Sequence, residues 1–518
     1  MRRLLRWGTV IFTALLATFA VAGSAAAYGS SGAPAKAPSA SHGGKSLTTL
    51  LGSGLFGSWT GFDPVVTTSV SFFFTTVYGS LFDIGPHGTL VPDLATSYKL
   101  GNNGLNLTIH LRPGLTFSNG DPLDSSVVAA NFKRSIDPAA GPNAFANIEN
   151  WPMTSVTTPD ATTVVVQFSH VFAGVLNSIP SILDLTALQK MGETAYNLTP
   201  IGAGPYEIQT DKPSAQLVLK KNPHYWEKGH PKLDTINVEV VGSDESAYEA
   251  LQAGQANIAA IGTLGLVNQA AKSKQLKEYL IPATGTWALQ LNTLKPPLNN
   301  ITAREALYYA TNSAAINKHV FENKYSVMES PTGPGGLFYQ PKVPGYRTYN
   351  LAKAKSLVQQ LGGLSVTLTG ANTPLIQLVN TALQSEWRAA GINVTLQPEA
   401  LATQLSQWKT GNWNIMIIQA GSYDPATGFG LPLYFGKLTP FSGVHDNTLY
   451  SMLDQAQGTF NKATRAATYK QIFKYISDNA YMPFLFSVPT WQVTTNNVTG
   501  MGSVTQTGFI NWANVDLK

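Results

Sequence analysis

Residues 200–261 read PIGAGPYEIQTDKPSAQLVLKKNPHYWEKGHPKLDTINVEVVGSDESAYEALQAGQANIAAI and contain the most informative pattern of the chain. Gly202, Gly204 and Pro205 predict a tight turn, because glycine accepts positive φ freely and proline fixes its own φ. After residue 241, Ser243 and Asp244 are typical of a helix start. The regularly spaced apolar residues that follow end at Gly254, which indicates a capped helix. The stretch therefore predicts strands at 206–210, 217–220 and 235–241, followed by a helix at 245–253 that Gly254 terminates.

Four motifs in this stretch occur in a characteristic order: G-x-G-P-Y, N-P-x-Y-W, L-D-x-I-x-V and A-L-Q-x-G-x-x-x-I. They resemble the family 5 extracellular solute-binding proteins of peptide, nickel and oligosaccharide ABC transporters. Further matches, such as PDLA at 92–95 and the F-x-x-G-x-P-L pattern at 117–123, extend the resemblance over residues 47–518. The resemblance implies an α/β, two-lobed periplasmic binding protein-like fold (type II, cluster C), with an extra small α+β domain in the first lobe.

The division into domains follows from the N-terminal composition and from this resemblance. Two crossings between lobes, near Ala283 and Val488, would form the hinge on which such a protein closes. The expected domains are a signal peptide at 1–27, a flexible linker at 28–45, lobe I at 46–88, 200–284 and 487–518, its small extra domain at 89–199, and lobe II at 285–486.

Residues 1–27 have the three parts of a secretory signal: N-terminal arginines, an apolar run from Val10 to Ala22, and small residues up to Ala27. The following segment is rich in Ser, Gly, Ala and Pro and is typical of a flexible tether. Because the chain has no cysteine, lipid attachment through a thiol is excluded. We expect a cleaved signal and a periplasmic or secreted protein.

Composition limits the classes of function. Only 12% of the 518 residues are charged and the formal net charge is +5, which argues against binding nucleic acid by phosphate neutralisation. The eight histidines form no ligand spacing, and the Asn119–Asp121 pair is typical of a turn rather than of an oxygen-ligand metal site. We therefore expect no metal and no cofactor.

Catalytic motifs are absent or unconvincing. Neither G-x-S-x-G nor H-E-x-x-H occurs. Three motifs of penicillin-recognising enzymes are present: S-x-x-K at 406–409, K-T-G at 409–411 and S-D-N at 477–479. One lysine, Lys409, would have to serve two of them. We expect no catalytic residue and no enzymatic activity. A secreted penicillin-recognising enzyme or a cell-wall scaffold is the alternative from another class.

In lobe II, a β-branched run at 364–369, an amphipathic pattern at 375–390 and Gly391-Ile392-Asn393-Val394 predict alternating strand, helix and strand, as in a parallel α/β sheet. Arg304, in a predicted helix, is usually structural in proteins of this family. The strand at 413–418 leads to Ser422-Tyr423-Asp424-Pro425, where the resemblance places ligand-contacting residues.

Peptide-binding relatives carry an aspartate before this D-P pair that holds the amino terminus of the ligand, and this chain lacks it. Asp424 matches the D of D-P, commonly a turn residue. A cleft without that charge would suit a neutral ligand such as an oligosaccharide, on whose sugar rings Trp287, Tyr423 and Phe441 would stack. We expect a peptide or similar oligomeric ligand, with an oligosaccharide as the alternative, delivered by a monomer to ABC permease subunits. The predicted ligand-binding residues are Thr67, Thr68, Tyr78, Trp287, Asn292, Tyr423, Asp424 and Phe441.

Overall fold

The computed structural model describes residues 44–52, 61–66, 73–85, 89–141, 151–427, 430–437, 442–487, 489–504 and 510–518. The predicted signal peptide, all but the last two residues of the predicted linker, and the predicted site residues Thr67, Thr68 and Phe441 lie outside these ranges. Within them, no helix combines the length and apolar character needed to cross a membrane.

Strands and helices alternate along most of the chain. The strands are β1 (Ser46–Gly52), β2 (Phe82–Ile84), β3 (Leu90–Pro92), β4 (Ala95–Gly101), β5 (Asn106–Leu111), β6 (Met153–Asp160), β7 (Thr163–Phe168), β8 (Tyr206–Lys212), β9 (Gln216–Lys221), β10 (Thr235–Val241), β11 (Ile258–Ile261), β12 (Leu276–Ile281), β13 (Thr286–Leu291), β14 (Ser326–Val327), β15 (Leu364–Ala371), β16 (Ile392–Glu399), β17 (Ile415–Ala420), β18 (Phe484–Ser487), β19 (Thr490–Thr495), β20 (Val498–Thr499) and β21 (Asp516–Leu517). The helices are α1 (Phe74–Tyr78), α2 (Ser125–Ser135), α3 (Leu185–Met191), α4 (Glu193–Leu198), α5 (Asp244–Gln252), α6 (Leu264–Lys272), α7 (Ile301–Ala310), α8 (Ser313–Phe321), α9 (Leu351–Gln360), α10 (Pro374–Ala389), α11 (Leu401–Thr410), α12 (Leu431–Phe435), α13 (Asn447–Gln457) and α14 (Lys462–Asp478).

A seven-stranded sheet forms the first lobe, in the order β12-β19-β11-β1-β10-β9-β8. The strands predicted at 206–210, 217–220 and 235–241 and the following helix are confirmed as β8, β9, β10 and α5. Ile236 and Val238 on β10 are fully buried because alternate residues of a strand point to one face. Gly254 ends the helical segment with a φ of +68°, the left-handed conformation that glycine adopts without strain.

A six-stranded sheet forms the second lobe, in the order β14-β18-β13-β17-β15-β16. β15 runs parallel to β16 and to β17, so the predicted alternation of strand, helix and strand is confirmed. Helix α10 packs against both β15 and β16. Its Val379, Leu383 and Trp387 are fully buried, which gives the helix one apolar face toward the sheet.

The chain passes between the two sheets twice, from β12 to β13 across residues 282–285 and from β18, which ends at Ser487, to β19, which begins at Thr490. Backbone groups of the glycine-rich segment 331–336 pack directly against the first crossing. A Cβ atom at Gly333 would lie 2.4 Å from the Ala283 carbonyl oxygen, so only glycine fits there. Beside the second crossing, the rings of Tyr325 and Trp491 stack with centroids 6.2 Å apart.

A four-stranded antiparallel sheet, β4-β5-β7-β6, and helix α2 form a separate small layer within residues 89–199. The Asp124 side chain accepts hydrogen bonds from the backbone N–H groups of Ser126 (2.9 Å) and Val127 (3.1 Å) and caps α2. Asp121 N–H donates to the Asn119 side-chain oxygen at 3.0 Å, which is the predicted turn. The division of the chain at the residue boundaries given above stays a prediction.

Candidate ligand-binding site

The carboxyl ends of the parallel strands β15, β16 and β17 meet at one edge of the six-stranded sheet. In open α/β sheets, ligands bind in the crevice outside such strand ends. β13 runs antiparallel to β17, and Trp287 near its start pairs with Gln419 near the end of β17. The structure therefore places Trp287 and Tyr423, two of the predicted site residues, at this same edge.

Trp287 and Tyr423 are both half-buried. The Trp287 ring packs 5.9 Å from the ring of Phe486. The Tyr423 carbonyl accepts a hydrogen bond of 2.7 Å from Leu337 N–H, whereas its hydroxyl oxygen is buried and has no hydrogen-bond partner among the described residues. Burial, and then the Asp424 carboxylate, raise the pKa of the Tyr423 phenol. The hydroxyl is thus a protonated donor that is free for another group.

Amide and carboxyl side chains gather at the same edge. Glu399, at the end of β16, accepts hydrogen bonds from the side chains of Gln397 (2.5 Å) and Gln407 (2.8 Å), and its other carboxylate oxygen has no partner among the described residues. Asn380 is 3% exposed and Gln404 9% exposed, and each has one buried polar atom without a described partner, Oδ1 of Asn380 and Nε2 of Gln404. Buried polar atoms normally have partners, so this cluster has unused hydrogen-bonding capacity.

Asn380, Glu399 and Gln404 were not among the residues predicted from sequence. They are separated in the sequence, and their residue types are common on exposed helices and strand ends. The predicted parallel strands were a usable signal, because polar residues that follow such strands collect at one edge of the sheet. Helix α11, which carries Gln404, was not predicted as part of the site.

Asp424 lies just beyond this edge and is fully enclosed. Its side chain is 0% exposed, and its Oδ1 accepts a 2.6 Å hydrogen bond from Nη2 of Arg465, whose side chain is 7% exposed. The same oxygen accepts from Ala426 N–H at 2.9 Å, which forms a turn at the D-P pair. Burial lowers the pKa of the Arg465 guanidinium, but the Asp424 carboxylate outweighs this effect and raises it. The carboxylate charge is therefore neutralised within the lobe.

The second carboxylate oxygen of Asp424 accepts a hydrogen bond from the small layer of residues 89–199. Asn177, in a 3-10 helix at Ala173–Asn177 of the small layer, donates a 2.9 Å hydrogen bond from Nδ2 to Oδ2 of Asp424. Ala426 is also buried within the apolar core of that small layer. A cavity of about 230 Å³ lies along this seam, lined from both sides by Tyr98, Leu176, Asn177, Phe338, Phe460 and Arg465, among others.

Tyr78 and Asn292 have structural contacts. The buried Tyr78 hydroxyl donates to the Phe62 carbonyl at 2.8 Å. Asn292 is buried beyond the end of β13, at the edge of the sheet opposite to Trp287, and donates from Nδ2 to the Trp413 carbonyl at 2.9 Å. The structure therefore does not bring these two side chains together with Trp287 and Tyr423. Ligand contact by Tyr78 and Asn292 stays a prediction.

Arg304 has the structural role that was expected. It is buried on α7 and donates to the backbone carbonyls of Leu298, Asn299, Asn479 and Ala480 at distances of 2.9–3.3 Å. Among the residues that the structure describes, no group of three or more His, Asp or Glu side chains has an arrangement able to hold a metal ion.

A sequence model of the bacterial extracellular solute-binding proteins, family 5, matches residues 89–439. The chain belongs to this family. The glutathione-binding protein GsiB of Escherichia coli K12 is 26% identical over 471 residues, which cover 85% of this chain and 89% of GsiB. The likeness to this relative thus spans nearly the whole length of both proteins.

Solved structures share the fold. AppA of Bacillus subtilis, in complex with a nonapeptide, superposes with a TM-score of 0.78 at 18% identity and covers 92% of this chain and 99% of AppA. AgaA of A. tumefaciens R10, bound to agropinic acid, superposes with a TM-score of 0.77 at 23% identity and covers 91% of this chain and 99% of AgaA. NikZ of Campylobacter jejuni, bound to Ni(L-His), superposes with a TM-score of 0.77 at 19% identity and covers 91% of this chain and 99% of NikZ.

These findings confirm three predictions. The protein has the two-lobed periplasmic binding protein-like fold, it is the solute-binding component of an ABC importer, and it is not an enzyme. The penicillin-recognising alternative is accordingly wrong. Proteins of this fold bind ligands as different as a nonapeptide, agropinic acid and a nickel complex, so the fold alone does not select the solute.

Proposed function

We propose that this protein captures a peptide or similar oligomeric solute between its two lobes and delivers it to the membrane permease of an ABC importer. It acts as a monomer in the periplasm or as a secreted protein, after removal of residues 1–27. The glutathione-binding relative GsiB and the nonapeptide-bound protein AppA, which has the same fold, support a peptide-like solute. Closure around the solute signals occupancy, because the solute stabilises the closed state more than the open state.

The solute is held through neutral hydrogen bonds rather than through a salt bridge to its amino terminus. The observation that carries this proposal is the state of Asp424, whose carboxylate is already bonded to Arg465, Ala426 and Asn177. A ligand ammonium group at Asp424 would have to displace a buried guanidinium, and leaving that charge unpaired costs several kcal/mol, about 3–5. The unused amide atoms of Asn380 and Gln404 suit instead the alternating N–H and C=O groups of a peptide backbone.

Trp287 and Tyr423 are the described residues that we propose as direct contacts. The Tyr423 hydroxyl donates to a ligand carbonyl or hydroxyl, and the exposed part of the Trp287 ring covers an apolar or planar part of the solute. Thr67, Thr68 and Phe441 stay predicted contacts.

The test is thermal unfolding of the chain from residue 28 onward, in the presence of candidate solutes. Binding to the native state alone adds about 2.7 kcal/mol when the solute is at 100 times its Kd. The probes are glutathione, peptides of two to five residues, the same peptides with an acetylated amino terminus, and linear oligosaccharides. We expect peptides to raise Tm and acetylated peptides to raise it equally.

Three other outcomes have defined meanings. A rise with free but not with acetylated peptides would refute the neutral mode of binding while leaving peptide capture intact. A rise with oligosaccharides alone would replace the proposed peptide with the alternative solute. No rise with any of these probes would contradict the whole proposal.

The amide cluster is tested by titration calorimetry with a peptide that raises Tm. Gln404→Ala removes a buried amide, and one lost hydrogen bond lowers affinity by roughly 2- to 13-fold, equivalent to about 0.5–1.5 kcal/mol. Gln360→Ala is the matched control, because Gln360 is exposed at the end of α9, away from the strand ends. Equal affinities for both variants would remove Gln404 from the site.

A further inference from the structure

The contact between Asn177 and Asp424 connects parts of the chain that lie 247 residues apart. Asn177 lies in the small layer, next to the four-stranded sheet, whereas Asp424 follows β17 of the six-stranded sheet. Since Asp424, Arg465 and Ala426 all belong to the second lobe, the bonds among them persist when the lobes separate. The bond to Asn177 does not, because it is made across the gap.

Two apolar contacts accompany this hydrogen bond. Ala426, two residues beyond Asp424, is buried in the apolar core of the small layer, where its methyl carbon lies 3.4 Å from the point that a Cβ of Gly174 would occupy. Phe460, between α13 and α14, also packs against that core, and its ring carbon lies 2.7 Å from the point that a Cβ of Gly104 would occupy. Glycine at position 104 therefore lets the Phe460 ring of the second lobe fit against the first lobe.

We propose that Asn177, Asp424 and the two apolar contacts form a latch, which holds the lobes together before any solute has bound. Its polar part has a defined direction: the Asp424 side chain accepts from Arg465, from Ala426 N–H and from Asn177, so the Asn177 amide is the donor. The acceptor is charged, so the bond is stronger than a hydrogen bond between neutral groups. The latch adds to the proposed function but does not depend on which solute is bound.

The latch sets how much of the ligand-free protein is closed. A hydrogen bond to a charged group that is exchanged for water shifts an equilibrium by roughly tenfold or more. Loss of the Asn177 amide is therefore expected to lower the closed-to-open ratio of the ligand-free protein by about tenfold.

The experiment measures the distance between the lobes in ligand-free protein by single-molecule fluorescence energy transfer. The chain contains no cysteine, so Lys99→Cys on β4 and Ser451→Cys on α13 provide two unique labelling positions, both exposed. Asn177→Ala removes the donor, and Asn177→Asp places a second carboxylate against Asp424.

We expect both variants at position 177 to shift the distribution toward long distances. The control is Ser178→Ala, because Ser178 directly follows the 3-10 helix of Asn177 and its hydroxyl donates to the Gly174 carbonyl of the same layer at 3.0 Å. This variant should keep the wild-type distribution. Unchanged distances in Asn177→Ala and Asn177→Asp would overturn the latch.

Discussion

Removal of the Asp424 carboxylate tests whether this residue is a structural anchor of the second lobe. In Asp424→Ala, the guanidinium of Arg465 keeps its charge in a site where only 7% of its side chain is exposed, and it loses an acceptor at 2.6 Å. Breaking a buried ion pair by removing one partner costs about 3–5 kcal/mol, because the remaining charge is neither hydrated nor paired. For a lobe of about 200 residues this corresponds to a decrease in Tm of roughly 6–20 °C, at about 2–4 °C per kcal/mol.

The double variant Asp424→Ala with Arg465→Met separates the unpaired charge from a loss of packing. A methionine keeps apolar bulk against the rings of Phe338 and Tyr469, over which the guanidinium now lies at 4.9 and 5.7 Å. Since it carries no charge, we expect the double variant to be more stable than Asp424→Ala alone. The assay is urea unfolding followed by circular dichroism and by tryptophan fluorescence. The reasoning is refuted if Asp424→Ala unfolds within about 1 kcal/mol of wild type, or if the double variant is no more stable than the single one.

Three further predictions concern stability. Burial, and then the Asp83 carboxylate, raise the pKa of Asp93 from 3.8 to about 7. The contribution of Asp93 to the free energy of unfolding is therefore fully present below about pH 4 and is lost as the pH rises to about 7. Asp83→Asn removes the neighbouring charge and should flatten this decline in urea unfolding between pH 4 and 8; an unchanged slope would contradict it. Gly421→Ala should lower the free energy of unfolding by about 1–3 kcal/mol, because φ is +95° and the new Cβ would lie 2.4 Å from the Pro331 carbonyl oxygen. Gly229→Ala, with φ of +80° and nothing within 4 Å, is its control, and an equal loss in both would show that the contact is unimportant. Arg304→Met leaves four carbonyls without their donor and should cost about 3 kcal/mol or more in the same assay, with no change in solute affinity; a Tm equal to wild type would exclude the structural role.

Much of the local structure could be predicted because it depends on neighbouring residues. The alternation in TINVEVV predicts β10 to within its observed bounds, and the polar residues before α5 with the glycine after it predict that helix to within one residue at each end. The cap at Asp124 is equally local, since donor and acceptor are two or three residues apart. Because these motifs also occur in a known order, they identified the family and its fold.

The candidate site could be predicted only in part. Trp287 and Tyr423 were selected as large aromatics that could stack on a ligand, and the pairing of β13 with β17 brings them to one edge. Asn292 lies close to Trp287 in the sequence, but most of the six-residue strand β13 separates the two side chains. The sequence pattern therefore identifies the strand. The role of a residue depends on whether it lies near the carboxyl ends of the parallel strands or at the opposite end of the sheet.

The sequence by itself determined the strands and the helix of residues 206–253, the alternation of strand, helix and strand at 364–394 and the order of motifs, because each of these depends on groups within a few residues of one another. Only the tertiary structure decided that Asp424 is neutralised by Arg465 and bonded to Asn177, and that the Gln407 amide of α11 is bonded to the Glu399 carboxylate at the end of β16. The physical reason is that burial and hydrogen bonding are properties of a folded neighbourhood. A carboxylate in the sequence has no partner until folding brings a distant guanidinium within 2.6 Å of it.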